Sequence, residues 1–494
     1  MLDHRQLSDI GFDYVLEKLV PFSPFGEELS RRISPYKKSE REALTSELRN
    51  VSLLARAFEA EPSAFSPLAR ALMQLKDIRR SVARSREVTL SDIELFEIKR
   101  FLMVLESLSA ACDALPVVKE LGGISIFAMP EALAVVDPDG MRAQTFRLGD
   151  NLSDELRNVR RERKTVDLAL RSLTGGAERE RLMAERTALA AREENEEQRL
   201  RGGITRAFAA HSKKLETLIV SIARLDFALA KARLMVELGG TVPQILPETQ
   251  PGEPAAISFS NMVNPLTRAL LREKGRGFTP VTISLVPGST VITGANMGGK
   301  SVAVKTVALN TYLALSGLPV FCEKAELPML SEIHLLAEDA EDSRGGLSSF
   351  GGEMVRFNDI IAAAAEDGPA LVLLDEFARG TNPHEGSALV RAAVRYFEAK
   401  KTAYALITTH FDDVACLAPV HYQVMGLRNA DEKALEAALD GAAQEGGGQR
   451  HRLLARFMDY GLFRAGSDVN PPRDALKICR ALRISDEFMA FVQE

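Results

Sequence analysis

The sequence predicts a mixed fold, a long helical region followed by an α/β domain with a largely parallel sheet. Three observations predict it. Apolar residues recur at spacings of three and four through the N-terminal half. A charge-laced helical segment runs from Asp154 to Leu238. Beyond a Gly- and Pro-rich boundary, Gly239 to Pro254, short β-branched runs alternate with helical ones.

Taken in order, Phe12, Val15, Leu16 and Leu19 mark one early helix face, and Leu53, Leu54, Ala57 and Phe58 mark another. Breaks at Pro21 to Gly26 and Pro62 to Pro67 separate such helices, and Ile124 to Leu148 reads as irregular or β-like. A first charged arm, Asp154 to Leu173, ends at Thr174-Gly175-Gly176. A second resumes at Glu178, is interrupted at Gly202-Gly203, and continues through Ile204, Phe208, Leu215, Ile219, Ile222, Leu225 and Leu229, one apolar stripe. The arms read as an antiparallel helical hairpin, a solvated spacer that can also act as a mechanical lever. Strands are expected at Val281–Leu285, Thr290–Thr293, Ile333–Ala337, Ala370–Leu374 and Ala403–Thr408. The Gly441 to Gly448 tract reads as a flexible insertion, with helix after it. The partition is 1–150 helical core, 151–240 hairpin, 241–256 linker, 257–440 α/β domain, and 441–494 loop and C-terminal helical segment.

Length and composition narrow the function classes. A chain of 494 residues with 46% hydrophobic residues can bury more than one core. No apolar run reaches the ~20 residues a membrane helix needs, and Met1-Leu2-Asp3-His4-Arg5 opens no signal-like segment. Cys112, Cys322, Cys416 and Cys479 are widely spaced, which argues against a disulfide framework or a zinc site and for a reducing, cytoplasmic setting. A net charge of −6 does not favour nucleic acid, although local basic patches remain open.

The most specific pattern is Gly294-Ala295-Asn296-Met297-Gly298-Gly299-Lys300-Ser301, G-x-x-x-x-G-K-[ST] between an expected strand and an expected helix. Glycines permit the sharp turn that points backbone N–H groups at phosphates, and the helix adds its positive end. Lys300 would then meet the β- and γ-phosphates and Ser301 a magnesium ion.

Leu371 to Leu374 is an apolar strand that ends in Asp375-Glu376. Asp375 would hold Mg²⁺ and Glu376 would orient or deprotonate the attacking water. Thr408-Thr409-His410 closes the next strand and places a histidine to sense the γ-phosphate.

These residues carry a family resemblance. Asn296 to Ser301 is similar to the phosphate loop of the MutS family, and Asp375 to Gly386 resembles that family's D-E-x-x-x-G-T segment. Leu347-Ser348-Ser349-Phe350 with Glu353-Met354 resembles its S-T-F…E-M signature, and Leu225-Asp226 with Ala228 and Ala230 to Ala232 resembles the end of its lever helices. The resemblance implies a helical lever and core plus an α/β P-loop ATPase domain of ABC/MutS type, using ATP and Mg²⁺. It implies a dimer, of this chain with itself or with a related chain, in which Ser348, Ser349 and Phe350 complete the opposite subunit's site. Asn296 would help place the water, and His410 would be the switch histidine.

Departures matter as much. Phe25-Gly26-Glu27 formally matches the Phe-x-Glu wedge of the family's mismatch reader, but no reader-sized domain surrounds it, and it reads as a helix–turn element. The DNA clamp within the lever reads as absent or minimal, no C-terminal nuclease domain is recognised, and Ala295 replaces the usual Pro. Two functions stand open: a DNA-associated ATPase of the mismatch-repair or recombination type, and an ATP-driven remodeller. For the second, Gly294 to Ser301 and Gly346-Leu347-Ser348-Ser349-Phe350-Gly351 resemble a small branch that reactivates a cobalamin-dependent lysine aminomutase.

Overall fold

A computed structural model describes residues 2–143, 148–173, 175–247, 255–294, 299–337, 349–364, 369–400, 403–411, 413–431, 457–466, 479 and 485. The chain forms two compact units. One comprises residues 1–19, 33–52 and 231–494, and the other residues 20–32 and 53–230.

The first unit carries two sheets. Its strands are β1 (Gln244–Ile245), β2 (Ile257–Met262), β3 (Val281–Leu285), β4 (Gly288–Thr293), β5 (Lys324–Leu327), β6 (Ile333–Leu336), β7 (Ala370–Leu374), β8 (Ala403–Thr409), β9 (Val420–Gly426) and β10 (Asp459–Arg464). The larger sheet has the order β10-β9-β4-β8-β7-β6. All its pairs are parallel except β10–β9, with Thr290 opposite Leu406 across β4–β8 and Leu371 opposite Tyr404 across β7–β8. Every residue of β4, β7 and β8 is buried, as expected of parallel strands covered on both faces. Helices Lys300–Leu315, Ser349–Ala363 and Pro383–Lys400 lie between these strands in the chain. The last packs Val390, Ala393, Val394 and Phe397 into a core with Val372, Leu374, Ala405 and Ile407.

The smaller sheet, β1-β5-β2-β3, is mostly antiparallel and was not expected. Its strand β1 falls within the stretch read as a linker. There Leu246 N–H donates to the Leu327 carbonyl at 2.9 Å, and Thr241 and Val320 form an isolated bridge. The Gly441 to Gly448 tract and most of the expected C-terminal helical segment lie outside the described residues. Asp459–Arg464, in the stretch read as helical after that tract, is a strand, which corrects that part of the expectation. Its Tyr and Phe side chains suit a sheet, and β9 offers a free edge on which it pairs antiparallel.

The second unit is helical. Helices Asp154–Ser172 and Ala177–Ala209 form the expected antiparallel hairpin, with Val159, Val166 and Leu189 buried between them. Arg160 bridges to Glu193 at 3.0 Å and Glu197 at 2.6 Å, while Arg186 meets Asp167 at 2.7 Å, so numbering rises on one arm as it falls on the other. Gly202-Gly203 does not interrupt the second arm: the helix runs through both and stops at Ala210. Two glycines cost about 1 kcal/mol each in a helix. Local packing offsets this, since Gly202 is buried against Thr89, Phe208 is fully buried, and the Thr205 hydroxyl accepts from Leu90 N–H at 3.2 Å. The stretch read as β-like contains helix Pro130–Val136, started by proline at its first turn and burying Ala132, Leu133 and Val136.

Candidate functional site

The site is built at the C-terminal end of β4, near the middle of the parallel sheet, where α/β folds place ligands. Gly294 leaves β4 with φ +148°, and a Cβ there would lie 3.0 Å from Val424 Cβ. Gly299 caps helix Lys300–Leu315 with φ +89°, a left-handed conformation that favours glycine. Ala295, Asn296, Met297 and Gly298 lie outside the described residues.

Lys300 joins the two ends of this loop. Its ammonium donates to the Gly294 carbonyl at 2.7 Å and lies 3.3 Å from Glu376 Oε1, with the side chain only 3% exposed. Burial pushes the Lys300 pKa below the usual lysine range, and the Glu376 carboxylate opposes that shift. Ser301 is half-buried and lines the same cavity.

Strand β7 delivers the acidic pair. Asp375 N–H donates to the Leu336 carbonyl at 2.8 Å, which extends the β6–β7 ladder to the strand tip. The Thr408 hydroxyl donates to Asp375 Oδ1 at 2.8 Å and accepts from Glu376 N–H at 2.8 Å. Glu376 has φ +52°, unusual outside glycine, so the chain turns sharply where the carboxylate meets Lys300. Its other oxygen, Oε2, accepts from Arg379 Nη1 at 2.8 Å. His410 follows β8 with an exposed side chain and lies against Phe411, ring centroids 4.4 Å apart.

A cavity of about 320 Å³ opens beside the loop. Gly299, Lys300, Ser301 and Glu376 line it together with Leu271, Arg276, Phe278, Val302 and Tyr460. One part is charged and the other largely apolar, as in small-molecule sites generally. Among the described residues no cluster of three or more His, Cys, Asp or Glu could hold a metal. The protein donors expected for Mg²⁺ are only two, the Ser301 hydroxyl and the Asp375 carboxylate, hard oxygens that would suit a small divalent cation completed by phosphate and water.

The structure thus brings Gly294, Gly299, Lys300, Ser301 and Glu376 together, with Asp375 tied to Glu376 through Thr408. Ser348 lies outside the described residues, and Ser349 begins helix Ser349–Ala363. Phe350 and Met354 pack against the core of their own chain. Glu353 of the signature segment accepts from Ala378 N–H at 3.1 Å and so links the signature helix to the Asp-Glu segment, a contact the motif alone did not predict. Sequence reasoning missed Thr408 as the hinge of the acidic pair, Arg276 and Tyr460, and gave Arg379 no role. A hydroxyl at the tip of a buried strand was a usable signal for Thr408; Tyr460 lies far from every motif. In the second unit Phe25 is 2% exposed and edge-on to Phe101 at 6.2 Å, inside helix Pro24–Ser30, a buried core side chain as the helix–turn reading expected.

This parallel sheet, with its glycine loop after a central strand and an Asp-Glu pair on a nearby one, defines a class. Residues 290–445 match the family described as MutS domain V. Over this region the chain is similar to MutS-family proteins. Similar relatives include the Endonuclease MutS2 of Thermotoga neapolitana, 34% identical over 221 residues, 44% of this chain and 27% of that protein. The Endonuclease MutS2 of Thermomicrobium roseum is 34% identical over 246 residues, 49% of this chain and 30% of the relative. The DNA mismatch repair protein MutS 2 of Haloarcula marismortui is 40% identical over 132 residues, 27% of this chain and 14% of its own length. The chain spans at most 30% of these relatives. No helix among the described residues is long and apolar enough to cross a membrane.

Proposed function

We propose that this chain is a MutS-type ATPase that turns ATP binding and hydrolysis into movement of its helical hairpin. The observation that carries this reading is the meeting of Lys300 with Glu376, a loop cation and a strand-end carboxylate at one cavity. In this reading the Gly294–Ser301 amides and Lys300 hold the triphosphate, and Ser301 and Asp375 hold magnesium. Bound Mg²⁺ neutralises phosphate charge. Glu376 orients the attacking water and takes its proton, Asn296 helps place that water, and His410 senses the γ-phosphate. The chain works as a dimer, with itself or a related chain, in which Ser348 and Ser349 reach the partner's nucleotide while Phe350 of the same signature seats its helix on its own core. Such composite sites couple occupancy to closure.

Glu376→Gln tests the chemistry. Nucleotide binding should persist, while phosphate release falls by about a hundredfold or more. Release at the wild-type rate contradicts the assigned role.

By family, DNA is the first client to test. A second reading, remodelling of a cobalamin-dependent lysine aminomutase, is favoured by the hairpin's charge pairing. Arg160, Arg192 and Arg201 each bridge to carboxylates within their own unit, which neutralises cations a phosphate backbone would need. DNA affinity that falls steeply with salt supports the first reading. Absence of binding to duplex, junction and single strand, with the aminomutase retained on the Glu376→Gln variant in ATP, supports the second.

A further inference from the structure

His410 follows β8 with an exposed side chain, and two of the next three residues are fastened to a single helix. Helix Pro383–Lys400 starts at Asn382, whose side-chain oxygen accepts from Glu385 N–H at 2.9 Å, with proline at its first position. One turn on, a Cβ at Gly386 would lie 3.0 Å from Phe411 Cζ. The Phe411 ring in turn backs the His410 ring, their centroids 4.4 Å apart. Ser387, the next residue, donates its hydroxyl to the Asp413 carboxylate, 2.8 Å from Oδ1 and 2.9 Å from Oδ2. Arg391, four residues further and so on the same face, donates through Nη1 to Asp413 Oδ2 at 3.2 Å. The same helical turn also abuts the Asp-Glu segment, since the Cβ at Gly386 would lie 2.8 Å from the Ala378 carbonyl oxygen.

Asp413 and Arg391 are both half-exposed, and solvent screens contacts of that kind, so the set adds little to stability. What it fixes is a position. We propose that Ser387 and Asp413 are positioning residues for His410, so that the start of helix Pro383–Lys400 holds the phosphate-sensing histidine and the Asp-Glu turn in one fixed relation. Phe411 supports the imidazole, Asp413 anchors the chain beyond it, and the serine hydroxyl holds the anchor on the helix. A small displacement of a group at a reacting centre costs rate steeply, which is how two side chains remote from the nucleotide come to govern turnover. This rests on the ATPase reading above, and the test separates the two.

The experiment measures binding of ATP with Mg²⁺, and phosphate release, in the full chain and in Asp413→Ala, Ser387→Ala, His410→Ala and the double variant Asp413→Ala with His410→Ala. Asp413→Ala should slow phosphate release about tenfold and leave ATP affinity within about twofold. Retained affinity also reports that the variant is folded. Ser387→Ala keeps the Arg391 contact, so its loss should be smaller and again in rate alone. His410→Ala should slow release at least as much as Asp413→Ala. Adding Asp413→Ala to it should cost nothing further, because a residue that acts through the histidine has no effect once the histidine is gone. Losses that multiply in the double variant, or wild-type turnover in Asp413→Ala, overturn the proposal while the ATPase reading stands. A wild-type chain that releases no phosphate overturns both.

Discussion

The Thr408 hydroxyl and the Asp375 carboxylate are hydrogen-bonded at 2.8 Å, and the same hydroxyl accepts the Glu376 N–H. One buried side chain on β8 thereby holds the Asp375 carboxylate and the Glu376 backbone at the tip of β7.

Thr408→Val keeps the shape and removes that hydroxyl. It leaves a carboxylate oxygen and a backbone N–H without this partner, so a loss of about 1–3 kcal/mol is expected in chemical denaturation. ATP turnover should fall about tenfold or more, since a small displacement of the acidic pair costs rate steeply. Thr408→Ser should restore most of both. Unchanged stability and turnover in the valine variant contradict the hinge role.

Gly386 sits in helix Pro383–Lys400, under the turn that follows the acidic pair. A Cβ there would lie 2.8 Å from the Ala378 carbonyl oxygen and 3.0 Å from Phe411 Cζ. Gly386→Ala gains about 1 kcal/mol in helix propensity, but overpacking against backbone costs about 1–3 kcal/mol. The variant should unfold at lower denaturant and hydrolyse ATP more slowly. Equal or greater stability shows that the turn is not packed as described.

These two residues show how far the sequence was legible. Strands β4, β6, β7 and β8 could be read from their apolar and β-branched residues, and β7 spans the expected Ala370–Leu374. Parallel strand β9 was missed because His421, Tyr422 and Gln423 break its apolar run. The smaller sheet could not, because β1 has two residues, β5 has four, and β2 pairs across a long stretch of chain. Gly202-Gly203 misled because local propensity was weighed without the contacts of Thr205 and Phe208. At the site, Gly294, Lys300, Asp375 and Glu376 declared themselves by motif. Thr408 and Tyr460 act through the fold, and only the pairing of β8 with β7 and β10 with β9 brings them in.

Glu196 ties the two arms of the hairpin. It accepts from the Ser153 hydroxyl at 2.6 Å and from Arg199 at 2.6 and 2.7 Å. Those bonds, Arg199 first and Ser153 next, hold its pKa down to about 2, against a smaller opposing effect of burial. A carboxylate whose folded pKa lies below its unfolded value near 4.5 stabilises the fold above that value, and the contribution is lost as pH falls toward 2. Ser153 also caps helix Asp154–Ser172, so acid should loosen the hairpin there. Thermal melts of the full chain followed by circular dichroism at pH 6 and pH 3 should show a helical loss that is smaller in Glu196→Gln. The same pH dependence in both proteins contradicts this assignment.

In the proposed reading the loop closed by Lys300 holds a triphosphate. Titration calorimetry with ATP and Mg²⁺ tests it most directly. Saturable heat is expected from the wild-type chain and none from Lys300→Ala. No heat from the wild type, or the same heat from the variant, contradicts it.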